Sequence, residues 1–302
     1  MKYNIKFSIA RKEFKMSGFQ KFDLHCHTKE GSPDGKVSIF EYAAILKQKG
    51  FDGMLVTDHD SYRAYYKYKQ SPQKQIKDFY VLRGIEYDTI DHGHFLVILP
   101  EQIRLKLLEA RGLRLKNLIK ITHFFGGIIG PAHPYGAKFL SLMRDKEAKY
   151  KKYLSECDFV EAFNSSEYIS DNNSALELAK KWDFPCTGGS DSHKTDTIGE
   201  GYSLIDAKVT NTNELIEAIV NRKVVRVGGS QRYKKKHPIL TNAFPLGFLF
   251  HFYNIMMTVF ATPVRCFRKF FTSRYMKTHK PYKPLFWVNE KTDTQTNARK
   301  YG

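Results

Sequence analysis

Histidine and acidic residues recur in this sequence where short apolar runs end. The segment Phe22–His27 (FDLHCH) alternates apolar and polar residues, which is typical of a β-strand. This alternation places His25 and His27 on one face, where two imidazoles can bind one metal ion. Taken alone, the segment is equally well interpreted as a strand that carries two unrelated histidines.

Similar residues lie at the termini of further apolar runs. Imidazole or carboxylate groups occur in TDHD at 57–60, GIE at 84–86, HGH at 92–94, PAHP at 131–134 and SDSH at 190–193. Buried positions are normally depleted of such groups unless a cation joins them. Histidine combined with carboxylate suits zinc, manganese or iron, and a carboxylate such as Glu86 can bridge two ions. We therefore predict a metal site built from several strand ends.

The elements that position these residues alternate between short apolar runs and longer amphipathic ones. Repeated strand–helix alternation is typical of a parallel sheet, either doubly wound or closed into a barrel. In both forms the chemistry lies at the carboxyl ends of the strands. Strands are predicted at 22–27, 53–57, 79–84, 94–99, 127–132, 159–163, 186–189 and 202–204, and helices at 39–49, 103–125, 174–181 and 213–221. Asn173 is a predicted helix cap and Gly50 a predicted helix stop.

The positive charge of the chain is concentrated near its two ends. The formal net charge is +18, of which residues 1–21 carry +5 and residues 231–302 carry +12. This distribution excludes a domain whose whole surface is basic and binds nucleic acid. Four cysteines without a CxxC pair argue against a zinc ribbon or a disulfide framework. We expect a cytoplasmic protein without a signal peptide. Peripheral association with the inner face of the membrane is compatible with this expectation.

Together these motifs resemble those of the polymerase and histidinol phosphatase (PHP) superfamily. The resemblance rests on FDLHCHTKEGSPD at 22–34, TDHD, GIE, PAHP and GSDSH at 189–193, and it covers about Lys21 to Gly229. It implies an α/β fold, a distorted (β/α)7 barrel that holds two or three divalent metal ions. It also implies hydrolysis of phosphomonoesters or phosphodiesters, with a phosphorylated small molecule or a nucleotide as substrate.

The resemblance further implies a set of nine ligands. They are His25, His27, Glu86 and Asp191 for a first ion, Glu86, His94 and His133 for a second, and Asp34, His59 and His193 for a third. A metal-bound hydroxide held by Glu86, Asp191 and His133 would attack the phosphate. Lys194 and Arg63 are candidate contacts for the substrate phosphate, although solvated surface charges are the commoner role of such residues.

Three aspartates beside the predicted ligands, Asp23, Asp58 and Asp60, have two possible roles. They can orient the ligating imidazoles through hydrogen bonds, or they can cap strand ends. The sequence does not favour either role.

The chain beyond the resembling region carries a different pattern. Residues 231–237 are basic, residues 243–264 are mostly apolar, and residues 265–280 are basic and aromatic. We predict a basic extension at 1–20, a phosphoesterase domain at 21–229 and a basic, apolar appendage at 230–302. Segment 243–264 is a candidate for contact with an anionic membrane surface. A helix that covers the barrel and a helix that binds a partner protein are alternatives, and a nucleic-acid clamp is the least favoured.

Metal-dependent hydrolysis of a phosphate ester is the function that these patterns favour. One rival is a 5′–3′ exonuclease or nucleoside bisphosphate phosphatase, for which polymer binding would depend steeply on salt. A second rival is a membrane-tethered binding module whose metals are structural. It predicts unfolding on metal removal without turnover of any phosphate ester.

Overall fold

The computed structural model describes residues 18–136, 140–143, 153–230 and 244–282, with side chains of the last segment described from Phe252 onward. The described strands are β1 (Gln20–Cys26), β2 (Gly53–Val56), β3 (Tyr80–Arg83), β4 (Ile85–Thr89), β5 (Gly93–Ile98), β6 (Ile128–Pro131), β7 (Val160–Asn164), β8 (Cys186–Gly189), β9 (Gly201–Ile205) and β10 (Val224–Gly229). The described helices are α1 (Ile39–Gln48), α2 (Arg63–Lys69), α3 (Leu115–Phe124), α4 (Ile169–Trp182), α5 (Thr212–Val220) and α6 (Phe244–Thr278). Residues 1–17 of the predicted extension at 1–20, and the basic run at 231–237, lie outside the described residues.

The described strands form three sheets rather than one. A five-stranded sheet has the order β10-β9-β1-β2-β3, a three-stranded sheet the order β4-β5-β6, and β7 pairs with β8. Only β1–β2, β2–β3 and β7–β8 pair in parallel, whereas β4–β5, β5–β6, β1–β9 and β9–β10 are antiparallel. The mixed α/β class is confirmed, but the expected all-parallel sheet is wrong and no sheet of the described residues closes into a barrel.

Several predicted boundaries are corrected by the structure. The predicted helix 103–125 is instead a short 3-10 turn at Lys106–Glu109 followed by α3, because Gly112 has a φ of 91° and interrupts any helix. Strands β4 and β10 and helix α2 were not anticipated. The predicted cap Asn173 lies inside α4, which begins after Tyr168. The preceding Asn172 hydrogen-bonds the backbone of Asn164 in β7, which fixes this earlier start.

Helix α1 shows how local sequence sets the elements that flank the site. Its cap is Ser38, whose hydroxyl accepts a hydrogen bond from the Glu41 backbone. It buries Ile39, Tyr42, Ala43 and Leu46, at the spacing that places side chains on one helix face. Gly50 follows its last residues with a φ of 74°, so the predicted helix stop is confirmed.

Three clusters of buried apolar side chains fill the space between sheets and helices. One lies between β4–β6, α3 and α4, the second between the faces of β1, β5, β6 and α5, and the third beneath α1 and α2. All four cysteines are unpaired. Within the described part of the chain, no helix combines the length and apolarity needed to cross a membrane.

Candidate metal centre

The nine residues expected to bind metal converge on one place in the structure. They come from the ends of β1, β2, β6 and β8, from β4 and β5, and from the loop before α1. They are His25, His27, Asp34, His59, Glu86, His94, His133, Asp191 and His193. His92, the alternative to His94, pairs instead with Asp91 at 3.1 Å.

The first group surrounds the two histidines of β1. His25 Nε2 lies 3.1 Å from His27 Nε2. Asp191 Oδ1 lies 3.6 Å and 3.1 Å from these two nitrogens, and Glu86 Oε2 lies 3.5 Å and 3.2 Å from them. Ligand atoms that share an ion at about 2.1 Å are roughly 3.0–3.4 Å apart in tetrahedral or octahedral geometry. The distances to His27 lie within this range, and those from His25 to the two carboxylates are slightly longer. The four side chains therefore have the chemistry, and nearly the spacing, of a common metal site.

Glu86 connects this group to a second one. Its Oε1 lies 3.0 Å from His94 Nδ1 and 3.0 Å from His133 Nε2. Its Oε2, which faces the first group, also lies 3.1 Å from His59 Nδ1. One carboxylate thus presents its two oxygens to two sets of imidazoles, the arrangement required of a ligand that bridges two ions.

The third group lies nearer to the solvent. Asp34 Oδ2 is 3.2 Å from His193 Nε2 and 3.6 Å from His59 Nε2. The Asp34 side chain is 55% exposed, whereas Glu86 is 1% exposed. The cluster therefore has a buried end at Glu86 and an open end at Asp34, from which a substrate can approach.

Glu161 of β7 supports the buried end and was not anticipated as a functional residue. Its Oε1 lies 2.8 Å from His25 Nδ1, and its Oε2 accepts hydrogen bonds from the His133 backbone and from Asn164 Nδ2. An ionised carboxylate only accepts hydrogen bonds, so His25 donates from Nδ1 and keeps the Nε2 lone pair directed at the cluster. The available signal was a single charged residue inside the apolar strand FVEAF.

Two of the three aspartates beside the motifs also support the cluster. Asp58 accepts hydrogen bonds from Thr28 and from the Ser32 hydroxyl, which lies 3.0 Å from His27 Nδ1. Asp23 accepts hydrogen bonds from the backbone and hydroxyl of Ser190, next to Asp191. Burial raises the pKa of each of these two aspartates to about 6.

Asp60 lies beside a cation, Arg111. Its carboxylate lies 3.6 Å from Arg111 Nε, and Arg111 also pairs with Asp88. Burial raises the pKa of Asp60 to about 7, despite the opposing charge of Arg111. Arg111 was not anticipated, because nothing in its sequence context distinguishes it from a surface arginine.

The electrostatics of the cluster favour cations. Burial lowers the pKa of His27, but Asp191 and Glu86 outweigh burial and raise it to about 10. The same opposition raises the pKa of His133 to about 9, while burial dominates at His59 and lowers its pKa to about 4. Burial opposes ionisation of Glu86, yet the surrounding imidazoles hold its pKa well below the usual range. The Glu86 carboxylate is thus ionised, and it attracts positive charge.

The backbone is held in uncommon conformations at the ligands. His133 and Asp191 have φ values of 30° and 50°, a backbone region that residues other than glycine rarely adopt. Such strain is typical of functional sites. Gly189 precedes Asp191 and approaches β1 so closely that an added Cβ would lie 2.4 Å from His25 N. Only glycine therefore lets β8 bring Asp191 beside His25.

The two candidate phosphate contacts lie on the surface. Lys194 follows His193 directly, and Arg63 is the first residue of α2. Both are exposed, and within the described residues neither forms an ion pair. Their side chains are thus not engaged elsewhere, and contact with a substrate phosphate stays a prediction.

Comparison with known proteins identifies the family of the chain. A sequence model of the PHP domain matches residues 23–182, and a model described as PHP-associated matches residues 170–224. Comparison with curated proteins finds no match.

Solved structures show a related fold. A two-domain protein from Bacteroides vulgatus that contains a predicted PHP-like metal-dependent phosphoesterase is 18% identical with a TM-score of 0.51, over 68% of this chain and 63% of that one. PfuEndoQ, a lesion-specific endonuclease from Pyrococcus furiosus, is 18% identical with a TM-score of 0.53, over 67% of this chain and 56% of that one. PsfC from Pseudomonas syringae is 12% identical with a TM-score of 0.50, over 82% and 99%.

The chain therefore spans less than two thirds of the first and second of these proteins. The PHP domain match, by contrast, covers more than half of this chain and includes seven of the nine clustered residues. The other two, Asp191 and His193, lie in the PHP-associated match. The motifs, the geometry of the cluster and this match lead to one conclusion: the chain belongs to the PHP domain family.

Proposed function

We propose that this chain hydrolyses phosphate esters with two or three divalent ions held by the nine clustered residues. The observation that carries the proposal is the spacing of the donors around Glu86, where imidazole nitrogens from β1, β5 and the loop after β6 lie 3.0–3.5 Å from its two oxygens. Bound zinc, manganese or iron would supply an activated water and positive charge for the phosphate oxygens.

The residues of the chain have separate tasks in this reaction. Glu86, Asp191 and His133 line the space between the first and second groups, so we assign them to holding the attacking water. Glu161 fixes the tautomer of His25 and the backbone of His133, which keeps both imidazoles turned toward Glu86 and the shared metal site. At the open end, Asp34 lies among His59 and His193, and we assign Lys194 and Arg63 to the substrate phosphate.

The distorted (β/α)7 barrel and the boundaries 21–229 belong to the same proposal. Parallel bridges join Cys26 to Ser192 and His59 to Glu86, so neighbouring sheets are connected at the site. We propose that the three sheets are an irregular form of the barrel, with the appendage at 230–302 outside it.

The test combines metal analysis with a panel of phosphomonoesters and phosphodiesters. Wild-type protein should contain two or three ions per chain and turn over at least one substrate class. His25→Ala and Asp191→Asn should each lower kcat/KM roughly 100- to 1,000-fold. Retention of full activity by both variants would show that the cluster is not the active site.

A nucleic-acid substrate is the second candidate, because PfuEndoQ is a lesion-specific endonuclease of related fold. The panel therefore includes 5′-phosphorylated oligonucleotides and nucleoside bisphosphates. Release of mononucleotides, with binding that weakens steeply as salt rises, would favour this candidate.

The panel also separates catalysis from a structural role of the metals. In a binding module with structural ions, chelation would unfold the chain while no ester was turned over. Chelation followed by restored turnover on adding zinc or manganese to a chain that stayed folded would exclude that role.

A further inference from the structure

On helix α6 the polar face points toward the body of the protein and the apolar face points outward, which is the reverse of the usual arrangement. Its inward stripe is mostly polar: Thr258, Thr262, Arg265, Thr272 and Met276 recur at intervals of three, four or seven residues. The opposite stripe is apolar and exposed, and it comprises Tyr253, Met257, Phe260, Val264, Phe267 and Phe271. Each of Phe260, Val264 and Phe267 is two residues beyond a member of the inward stripe, which is about 200° around the helix.

Helix α6 is fixed to the body of the protein by four residues between Arg265 and Met276. Arg265 donates a hydrogen bond to the Arg111 carbonyl, and Arg268 donates one of 2.6 Å to the Lys106 carbonyl. The Tyr275 ring stacks on Phe125 at 5.8 Å, and Met276 packs against the apolar cluster around α3. This part of the helix therefore lies lengthwise on the body of the protein, and its opposite side faces outward.

The outward stripe is too apolar to be an ordinary solvent surface. Phe260 is 68% exposed and Phe267 is 65% exposed. From Tyr253 to Phe271 the stripe runs for about 27 Å at 1.5 Å per residue. A contiguous exposed apolar surface of this extent marks an interaction site.

Charge identifies the kind of partner. Residues 244–282 contain six Lys or Arg and no Asp or Glu. Arg274 continues the outward stripe seven residues beyond Phe267, and the exposed Lys277 and Lys280 lie close by along the chain. Apolar side chains flanked by cations fit a bilayer that contains anionic lipid. A second copy of the chain fits less well, because this helix offers no acid to pair with the cations and the chain has a formal net charge of +18.

We propose that the outward face of α6 binds the surface of an anionic membrane, with the helix axis parallel to the bilayer and the catalytic domain held beside it. The aromatic side chains enter the headgroup region, and Arg274 and Lys277 contact lipid phosphates. This proposal does not depend on the proposed enzymatic activity.

The test is co-sedimentation of the full-length, metal-loaded protein with vesicles of phosphatidylcholine alone or with 30% phosphatidylglycerol (about the charge density of an anionic leaflet). Wild type should bind the anionic vesicles at least tenfold more tightly than the neutral ones. Salt at 0.5 M should weaken this binding, because it shortens the Debye length to roughly 4 Å and screens the charges. Phe260→Gln with Phe267→Gln should weaken binding tenfold or more, and Arg274→Gln with Lys277→Gln should weaken it only on anionic vesicles.

Val225→Gln is the matched control, because Val225 is an exposed apolar residue on β10, outside the helix. It should bind like wild type, and circular dichroism and metal content should show that every variant is folded. Three outcomes would overturn the proposal: no vesicle binding by wild type, equal binding to both vesicle types, or a dimer in light scattering that only the Phe260/Phe267 variant loses.

Discussion

The metal centre and helix α6 depart from the usual distribution of polar and apolar groups in opposite directions. At the centre, the side chains of His25, His27 and Glu86 are at most 1% exposed, although imidazoles and carboxylates normally contact water. On α6, Phe260 and Phe267 are exposed, although aromatic side chains normally lie inside. Each departure indicates a partner of matching chemistry: a cation for the buried donors and an apolar partner, which we propose to be lipid, for the exposed aromatics.

The two regions meet at Arg111. Its side chain pairs with Asp88, whose Oδ1 lies 3.9 Å from His94 Nε2 in the metal centre. Its carbonyl accepts the hydrogen bond from Arg265 of α6. A short path of polar contacts therefore joins helix α6 to the second group of ligands, and the two departures can be tested separately or together.

Replacement of Glu86 should have the largest effect, because its two oxygens contact ligands of every group. Glu86→Gln keeps the volume but removes the charge shared by His27, His59, His94 and His133. We expect kcat/KM to fall roughly 1,000-fold and at least one ion to be lost per chain. Activity assays and elemental analysis measure the two effects.

Glu177→Gln is the matched control for this replacement, since Glu177 is an exposed glutamate of α4. It should change neither quantity. If Glu86→Gln kept its full metal content and full activity, the carboxylate would not be a bridging ligand. The burial of Glu86 would then not indicate a bound cation.

Glu161→Gln should have an intermediate effect, because Glu161 acts through His25 and the His133 backbone rather than on the ions. A glutamine has one acceptor oxygen where three donors now share two. We expect metal affinity to fall about 10- to 100-fold in chelator competition. Excess metal should then restore kcat, which a purely structural defect would not allow, and unchanged affinity would contradict the positioning role.

The local motifs are the part of the site that the sequence made predictable. Alternation in FDLHCH placed His25 and His27 together, and strand ends placed His59, His133 and Asp191 near them. Strand lengths and ligand types are encoded within a few residues, so they follow from periodicity. The shape of the sheets does not, since it depends on pairing between distant strands such as β1 with β9 and β5 with β6.

Long-range contacts also explain the residues that were missed. Glu161 stands alone in an apolar strand, and its role exists only because His25 lies 136 positions away along the chain. Gly112 interrupts the predicted helix 103–125, so α3 begins only at Leu115, and the left-handed backbone of Gly112 packs against α6. On α6 itself the sequence showed apolar and basic runs, but only the contacts with the body show which stripe of the helix faces outward.

The pH dependence of the metal-free protein tests the electrostatics of the buried region. The pKa of His27 is raised from 6.5 to about 10, so its contribution to folding stability is complete below pH 6.5 and is lost as the pH rises toward 10. The pKa of His59 is lowered from 6.5 to about 4, so its contribution is lost as the pH falls from 6.5 toward 4. The raised pKa of His133, about 9, acts in the same direction as that of His27. The Tm of chelated protein should therefore fall as the pH rises from 6.5 toward 10.

Metal should remove the alkaline part of this dependence, because ions replace the protons on the imidazoles. Metal affinity should accordingly rise between pH 6 and 9 (about tenfold per pH unit for each proton displaced). Thermal scans of chelated and metal-loaded protein measure both effects. A Tm of the chelated protein that increased from pH 6.5 to 9 would contradict the raised pKa of His27.

Replacement of Gly112 should have the smallest effect, and it tests whether α6 is fixed to the body. Gly112→Ala places a Cβ 2.5 Å from Arg265 Nη1 and 2.8 Å from Thr258 Cγ2, in addition to the strain of a φ of 91°. Gly50→Ala is matched to it, because Gly50 has a φ of 74° and open space around the added atom.

Backbone strain alone should cost Gly50→Ala about 1–2 kcal/mol of unfolding free energy. Gly112→Ala should cost more, because Arg265 must move and release the Arg111 carbonyl. Hydrogen exchange should accelerate across residues 258–268 in Gly112→Ala and stay unchanged there in Gly50→Ala. Equal costs and unchanged exchange in both variants would mean that α6 is not held on the body. The exposed aromatic stripe would then need another explanation, because a detached helix could turn either face toward the protein.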